Sequence, residues 1–81
     1  MSVVIYSTKN CPFCVAAKNL LESLNIPLED IDLTSDIEKR LEISTKYNWR
    51  TVPIIIINDN FIGGFDELNN LYSEGKLEEL L

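Results

Sequence analysis

Two cysteines carry the chemistry that this sequence suggests, and they lie three positions apart at Cys11 and Cys14. A C-x-x-C spacing suits a redox-active pair, a structural disulfide or half of a zinc site. Zinc needs about four ligands, and a chain with two thiols and no histidine needs a partner to complete them. A structural disulfide across so short a loop removes little entropy from the unfolded chain. A redox-active pair therefore makes the fullest use of both sulfurs.

The positions of the two thiols predict different roles for them. Val3–Tyr6 is a β-branched apolar run typical of a strand, and helical spacing of apolar residues begins after Pro12. Cys11 therefore precedes the first turn of a helix, where free amides, the helix dipole and nearby Lys9 favour a thiolate and lower its pKa below ~8.5. Cys14 lies one turn into the helix, and we expect it to be buried and protonated. We therefore expect Cys11 to attack and Cys14 to resolve the mixed disulfide.

The elements that position the cysteines follow the order β-α-β-α-β-β-α. A second strand is predicted at Leu28–Leu33, and a capping box of Ser35 and Glu38 predicts the start of the second helix. The run Ile54–Ile57 predicts a strand buried on both faces, followed by a hairpin to Phe61–Ile62. The first β-α-β unit implies parallel strands. The sequence therefore predicts an α/β fold, a four-stranded mixed sheet flanked by helices, in one domain spanning residues 1–81.

Composition excludes several functional classes. Thirteen acidic residues against seven basic ones give a net charge of −6, which disfavours nucleic acid as a partner. No apolar run approaches the ~18 residues of a membrane span, and the N-terminus lacks the features of a signal peptide, so we expect a cytoplasmic protein without membrane partners. The absence of histidine excludes Ser-His-Asp and Cys-His catalysis within one chain, and we expect no metal site.

Two further segments and one tryptophan each allow two interpretations. Thr51–Pro53 is either the start of a strand or a cis Val-Pro turn whose free backbone groups meet an extended peptide. Gly63–Glu67 is either a turn with acidic residues at a helix N-terminus or a loop that places Asp66 beside a ligand. Trp49 is either a partly buried anchor or an apolar wall of the site.

Three motifs together resemble the glutaredoxin family. They are Cys11–Cys14 after a strand, Arg50–Pro53 after the second helix, and Ile62–Asp66 after the hairpin, in the order and spacing of the family. The resemblance covers nearly the whole chain. It implies the thioredoxin fold with a cis peptide before Pro53, and it implies glutathione-dependent reduction of protein disulfides and glutathione mixed disulfides by dithiol and monothiol exchange.

The resemblance also implies a glutathione site beside the cysteines. Lys9 and Arg40 resemble residues that meet the glycine carboxylate, whereas Asp66 lies near the γ-glutamyl ammonium. Thr51 and Val52 resemble the segment that pairs with the cysteinyl backbone. The complete implied site comprises Lys9, Phe13, Arg40, Thr51, Val52, Pro53, Gly64, Phe65 and Asp66.

Three positions depart from the family pattern. Phe13 stands where tyrosine is common, Ile54 where a polar residue is frequent, and Trp49 where a small or polar residue is more usual. We expect these departures to change the shape of the groove or the choice of partner and to leave the chemistry intact.

The resemblance implies glutathione as co-substrate, no tightly bound cofactor and a monomeric protein. The implied protein partners carry disulfides or glutathionylated cysteines, and ribonucleotide reductase is one candidate. Two rival functions remain: a thioredoxin-like protein reduced by a flavoprotein, and a dimer that bridges an iron–sulfur cluster through Cys11 and glutathione. Glutathione is favoured over a flavoprotein as the electron donor by Lys9, Arg40 and Asp66. The iron–sulfur cluster is disfavoured by Pro12 and by the second thiol.

Overall fold

The computed structural model describes residues 2–81, and its helices and strands follow the predicted order, with one further short helix at the end. The strands are β1 (Val3–Ser7), β2 (Glu29–Asp32), β3 (Ile54–Ile57) and β4 (Asn60–Gly63). The helices are α1 (Pro12–Ser23), α2 (Ile37–Tyr47), α3 (Phe65–Ser73) and a short α4 (Leu77–Leu80). None of these helices within residues 2–81 is long and apolar enough to cross a membrane.

The four strands form one mixed sheet in the order β2-β1-β3-β4, which confirms the predicted fold class. Strand β1 runs parallel to β2, and it runs antiparallel to β3, which forms a hairpin with β4. In this register Ile5 at the centre of β1 pairs with Asp30 on one side and with Ile55 on the other. The carboxyl end of β1 leads directly into the loop that carries Cys11.

Helices cover both faces of this sheet. Helices α1, α3 and α4 enclose one apolar cluster with the inner residues of β1 and β3, and this cluster comprises Val3, Ile5, Ala17, Leu21, Ile26, Ile55, Ile57, Leu68 and Leu77. On the other face, Tyr47 of α2 stacks on Phe61 of β4, and Ile43 of α2 is buried. All four isoleucines of β3 are buried, as predicted for a strand with apolar neighbours on both sides.

The predicted capping box at the start of α2 is wrong. The N-cap is Asp36, whose carboxylate accepts a hydrogen bond from the backbone amide of Lys39 at 3.0 Å. Because the helix begins one residue later than expected, Glu38 occupies the second helical position and cannot reach back as a capping box requires. An aspartate at this position also places negative charge at the positive end of the helix dipole.

A polar network ties together the elements around the cysteine loop. The buried hydroxyl of Ser7 donates to Asp30 at 2.6 Å, and the ammonium of Lys18 on α1 meets the second carboxylate oxygen at 2.8 Å. Burial alone raises the pKa of Asp30, but the hydrogen bonds from Lys18 and Ser7 outweigh it, so the pKa lies below its usual value. The network therefore links β1, β2 and α1 through one ionised carboxylate.

Candidate active site

Cys11 lies at the N-cap of α1, and Pro12 occupies the first helical position, as predicted. The backbone amide of Cys14 donates to the sulfur of Cys11 at 3.1 Å, so the helix end points at that sulfur. Cys14 is 1% exposed, whereas Cys11 is half-buried at the surface. The two sulfurs are joined in a disulfide, which places both thiols in one redox pair.

The loop between α2 and β3 approaches Cys11 from the opposite side. The carbonyl oxygen of Val52 lies 3.7 Å from the Cys11 sulfur. In the disulfide this sulfur carries no proton, but the reduced thiol can donate to that carbonyl. The peptide bond between Val52 and Pro53 is cis, which confirms the prediction for this segment.

A cleft of about 230 Å³ opens beside the cysteine pair. Its walls come from the N-terminus of α1, the loop before β3 and the N-terminus of α3. The lining residues are Phe13, Trp49, Thr51, Val52, Pro53, Gly64, Phe65, Asp66 and Glu67. The fold therefore brings together seven of the nine residues in the glutathione site that the resemblance implies.

The two basic residues of that implied site, Lys9 and Arg40, are not in the lining of the cleft. Arg40 instead lines a separate groove along α2 together with Arg50. Lys9 is exposed, and its backbone amide donates to the hydroxyl of Thr34, which joins the cysteine loop to the loop after β2. Hydrogen bonds from Thr34 lower the pKa of Asp32, and the charge of Lys9 lowers it further.

Aromatic side chains form the apolar walls of the cleft. Phe13 is 61% exposed and stacks against Phe65, with ring centroids 6.3 Å apart. Trp49 lines the cleft and also packs edge-on against Phe61 at 5.5 Å, so both interpretations of this residue hold. Its indole nitrogen is buried and has no hydrogen-bond partner within the described residues.

The glycine turn before α3 closes the far side of the cleft. Gly63 has a φ of 122°, a backbone conformation that favours glycine, and Gly64 caps the helix. The carboxylate of Glu67 accepts a hydrogen bond from the Gly64 amide at 2.9 Å. Sequence reasoning did not include Glu67 in the site. Its place three residues after a helix cap, where glutamate typically reaches back to the backbone, was the available signal.

The arrangement suits sulfur exchange with a small polar ligand. A half-exposed sulfur at a helix N-terminus lies next to Val52, which lines a groove with apolar walls, backbone edges and the exposed carboxylate of Asp66. Within residues 2–81, no group of three or more histidine, cysteine, aspartate or glutamate side chains is arranged to hold a metal ion.

Comparison with known proteins agrees with this chemistry. A sequence model of the glutaredoxin family matches residues 3–62. The chain is 40% identical over 79 residues to a glutaredoxin of Pseudomonas aeruginosa, covering 98% of this chain and 94% of that protein. It is 38% identical over 82 residues to glutaredoxin 1 of Rickettsia prowazekii, covering 99% of this chain and 86% of the relative.

Solved structures give the same result. The crystal structure of wheat glutaredoxin superposes with a TM-score of 0.92 at 37% identity, covering 99% of this chain and 78% of that one. A complex of buckwheat glutaredoxin with glutathione superposes with a TM-score of 0.90 at 29% identity, covering 98% of this chain and 74% of that one. The similarity therefore extends over nearly all of the sequence, including the cysteine loop and the cleft.

Proposed function

Because this chain belongs to the glutaredoxin family of glutathione-dependent thiol–disulfide oxidoreductases, we propose that it reduces both protein disulfides and glutathione mixed disulfides, with Cys11 as the nucleophile. One observation carries the proposal. The sulfur of Cys11 accepts the Cys14 amide at the N-terminus of α1 and lies 3.7 Å from the carbonyl of Val52, which lines the open cleft, whereas Cys14 is buried. An amide directed at a sulfur stabilises the thiolate more than the thiol, because the thiolate is the stronger acceptor.

The cleft is the proposed glutathione site. The glutathione in the buckwheat complex and the backbone around Val52 support this assignment, since an extended tripeptide can pair with exposed backbone edges. The carboxylate of Asp66 complements the γ-glutamyl ammonium, and the rings of Phe13 and Phe65 cover the methylene groups of the tripeptide. The cleft binds the tripeptide with its sulfur toward Cys11.

Dithiol exchange uses both cysteines. The Cys11 thiolate attacks one sulfur of a protein disulfide, which forms a mixed disulfide and releases the other protein thiolate. The Cys14 thiol loses its proton and attacks the Cys11 sulfur, which releases the second protein thiolate and leaves the internal disulfide. Two glutathione molecules then reduce that disulfide in turn and leave as glutathione disulfide. The electron pair thus passes from glutathione to the protein substrate.

Monothiol exchange uses Cys11 alone. The Cys11 thiolate attacks the glutathione sulfur of a glutathionylated protein, which frees the protein thiolate and leaves glutathione attached to Cys11. A second glutathione thiolate attacks that sulfur, regenerates the Cys11 thiolate and forms glutathione disulfide. Burial of Cys14 keeps it away from the incoming glutathione.

The test compares Cys11→Ser with Cys14→Ser in two assays coupled to glutathione reductase. We expect Cys11→Ser to abolish reduction of both a protein disulfide and a small glutathione mixed disulfide. We expect Cys14→Ser to lose only the protein disulfide activity. Equal losses in both variants would contradict the assigned roles, and reduction by thioredoxin reductase in place of glutathione would identify a different electron donor.

The proposed setting follows from the same chemistry. A pair that is reduced by glutathione works where the glutathione pool is itself kept reduced, so we place the protein in the cytoplasm. We also propose that it acts as a monomer without a resident cofactor. Trapping of free thiols in cells, followed by fractionation, should recover the protein in the cytoplasmic fraction with the pair mainly reduced.

A further inference from the structure

Trp49 is held at the end of α2 by its own backbone. Its N–H group donates to the carbonyl of Ser44 at 3.0 Å, and Asn48 before it adopts the left-handed conformation with a φ of 51°. This turn is a common way to end a helix. Thr51 and Val52, which line the cleft, follow two and three residues later. The backbone of Trp49 is therefore fixed next to the loop that forms one wall of the cleft.

The indole ring of Trp49 crosses to the opposite wall. A Cβ placed on Gly64 would lie 3.7 Å from Cζ2 of the indole, so the ring is within close range of the turn before α3. The ring also packs edge-on against Phe61 of β4, with centroids 5.5 Å apart. One side chain therefore spans the loop before β3 and the turn before α3, and the distance between these two segments is the width of the cleft.

The indole and the two walls close one end of the cleft around Gly64. The point that a Cβ on Gly64 would occupy lies 3.6 Å from the carbonyl oxygen of Pro53. The same point lies 3.4 Å from a carboxylate oxygen of Glu67. A single methyl group at this point thus reaches ordinary contact distance on three sides, so a larger group has to displace one of them.

Packing and not hydrogen bonding gives the indole its role in this corner. Its nitrogen is buried and has no hydrogen-bond partner within residues 2–81, so a ligand in the cleft meets the carbon atoms of the ring. A buried donor without an acceptor costs stability, and a phenyl ring at this position would avoid that cost. Trp49 therefore contributes volume and apolar surface to the cleft.

We propose that Trp49 is a specificity-determining residue that closes the cleft behind the γ-glutamyl end of the ligand and rejects thiols that are extended at that end. The inference rests on the proposed glutathione-dependent function, which supplies the orientation of the tripeptide. In that orientation the γ-glutamyl ammonium meets Asp66 in the first turn of α3, and Gly64 is the N-cap of the same helix. A carbon substituent on that nitrogen has to enter the corner beside Gly64 or break the contact with Asp66. Because a small or polar residue is more usual at position 49 in the family, we expect this restriction of the present chain in particular.

The test compares two small mixed disulfides of a coloured thiol. One contains glutathione, and the other contains glutathione with an isopropyl group on the γ-glutamyl nitrogen, which keeps its positive charge. The measurement is the second-order rate constant for release of the coloured thiol by the reduced protein in a single turnover. We expect the wild-type protein to react about tenfold more slowly with the extended substrate, and Trp49→Ala should reduce this discrimination to about threefold or less.

Two further variants separate the volume of the ring from other effects. Trp49→Phe keeps a ring and removes the unpartnered N–H group, so it should keep a discrimination within about twofold of the wild type. Tyr47→Leu removes the ring that stacks on Phe61 and does not line the cleft, and it should also keep the discrimination. Equal rate constants for the two substrates in the wild-type protein overturn the proposal. The same loss of discrimination in Trp49→Phe or in Tyr47→Leu as in Trp49→Ala also overturns it.

Fluorescence measures binding at this corner without any reaction. Trp49 is the only tryptophan of the chain, so its emission reports on this end of the cleft alone. In the reduced protein, S-methylglutathione should change the emission in a saturable way, and the same compound with the isopropyl group should not. If the wild-type protein reduces no disulfide with glutathione, the proposed function fails, and this titration then decides the role of Trp49. No change with either compound, or the same change with both, overturns the inference.

Discussion

The contact between the Cys14 amide and the Cys11 sulfur leads to a prediction about thiol ionisation. The N–H group of residue 14 donates to the sulfur at 3.1 Å, and this donor belongs to the backbone. Replacing the amide at position 14 with an ester removes the donor without changing a side chain. The ester protein and its amide counterpart both carry Cys14→Ala, so Cys11 is the single thiol that titrates in each. The two proteins then differ only in the backbone donor.

The size of the effect follows from the kind of hydrogen bond that is lost. A hydrogen bond to a charged acceptor contributes about 1.5–3 kcal/mol, and 1.36 kcal/mol corresponds to one pKa unit. Sulfur is a weak acceptor and Cys11 is half-exposed, so the lower end of this range applies. The ester should therefore raise the pKa of the Cys11 thiol by about one unit, while the remaining helix dipole keeps it below ~8.5.

The assay is the rate of attack on a small symmetrical disulfide as a function of pH. The midpoint of the profile should move up by about one unit in the ester. The rate at high pH should rise about threefold, because the nucleophilicity of a thiolate increases with its pKa with a Brønsted coefficient of about 0.4–0.5. The two profiles should therefore cross.

The matched control places the same ester at Ala17, in the interior of α1 and away from the sulfur. This change weakens the helix and should leave the midpoint for Cys11 unchanged. Two results would refute the reasoning: an ester at position 14 that leaves the midpoint in place, or an equal shift in the control.

Three further predictions concern the fold and the cleft. Leu21→Ala, at a fully buried position, should lower the free energy of unfolding in urea by about 2–5 kcal/mol. The pKa of Asp30 is lower in the folded protein than in the unfolded chain, where it is ~3.9. The ionised carboxylate therefore stabilises the fold above pH ~3.9, and this stabilisation is lost as the pH falls through the pKa of the folded state. Asp30→Asn should therefore cost stability at pH ~7 and little at the acid end of this window; an equal cost throughout would contradict the assignment. Gly63→Ala places a Cβ 2.9 Å from the Glu67 side chain at a φ of 122°, so it should destabilise the protein by about 1–3 kcal/mol and raise KM for a glutathione mixed disulfide. A wild-type KM would show that the turn does not shape the cleft.

Much of the fold could be predicted because its signals are local. Three such signals each fix one element through backbone and side-chain preferences: the β-branched run at Val3–Tyr6, the proline at the first position of α1, and the four isoleucines of β3. The spacing of the cysteines also predicted which thiol would be buried, since three residues correspond to one helical turn.

The sequence could not predict features that depend on how the elements meet. Helix α2 has apolar residues on two sides, and only packing against the sheet distinguishes buried Ile43 from exposed Leu41. For the same reason Arg40 could not be assigned to the groove on α2 before the helix was oriented. The cap of α2 was ambiguous because Ser35 and Asp36 are adjacent and both suit an N-cap.

The spacing of the two cysteines explains why their chemistry can be separated. An N-cap side chain accepts a hydrogen bond from the amide three residues later, and the residue at that position is Cys14. In the proposed mechanism residue 14 therefore contributes twice: its backbone stabilises the attacking sulfur, and its side chain resolves the mixed disulfide. A serine at this position removes the second contribution and keeps the first. The monothiol reaction should consequently survive Cys14→Ser with the pKa of Cys11 still low. A spacing one residue longer would lose only the resolving thiol, because whichever residue then follows Cys11 by three positions still supplies the amide.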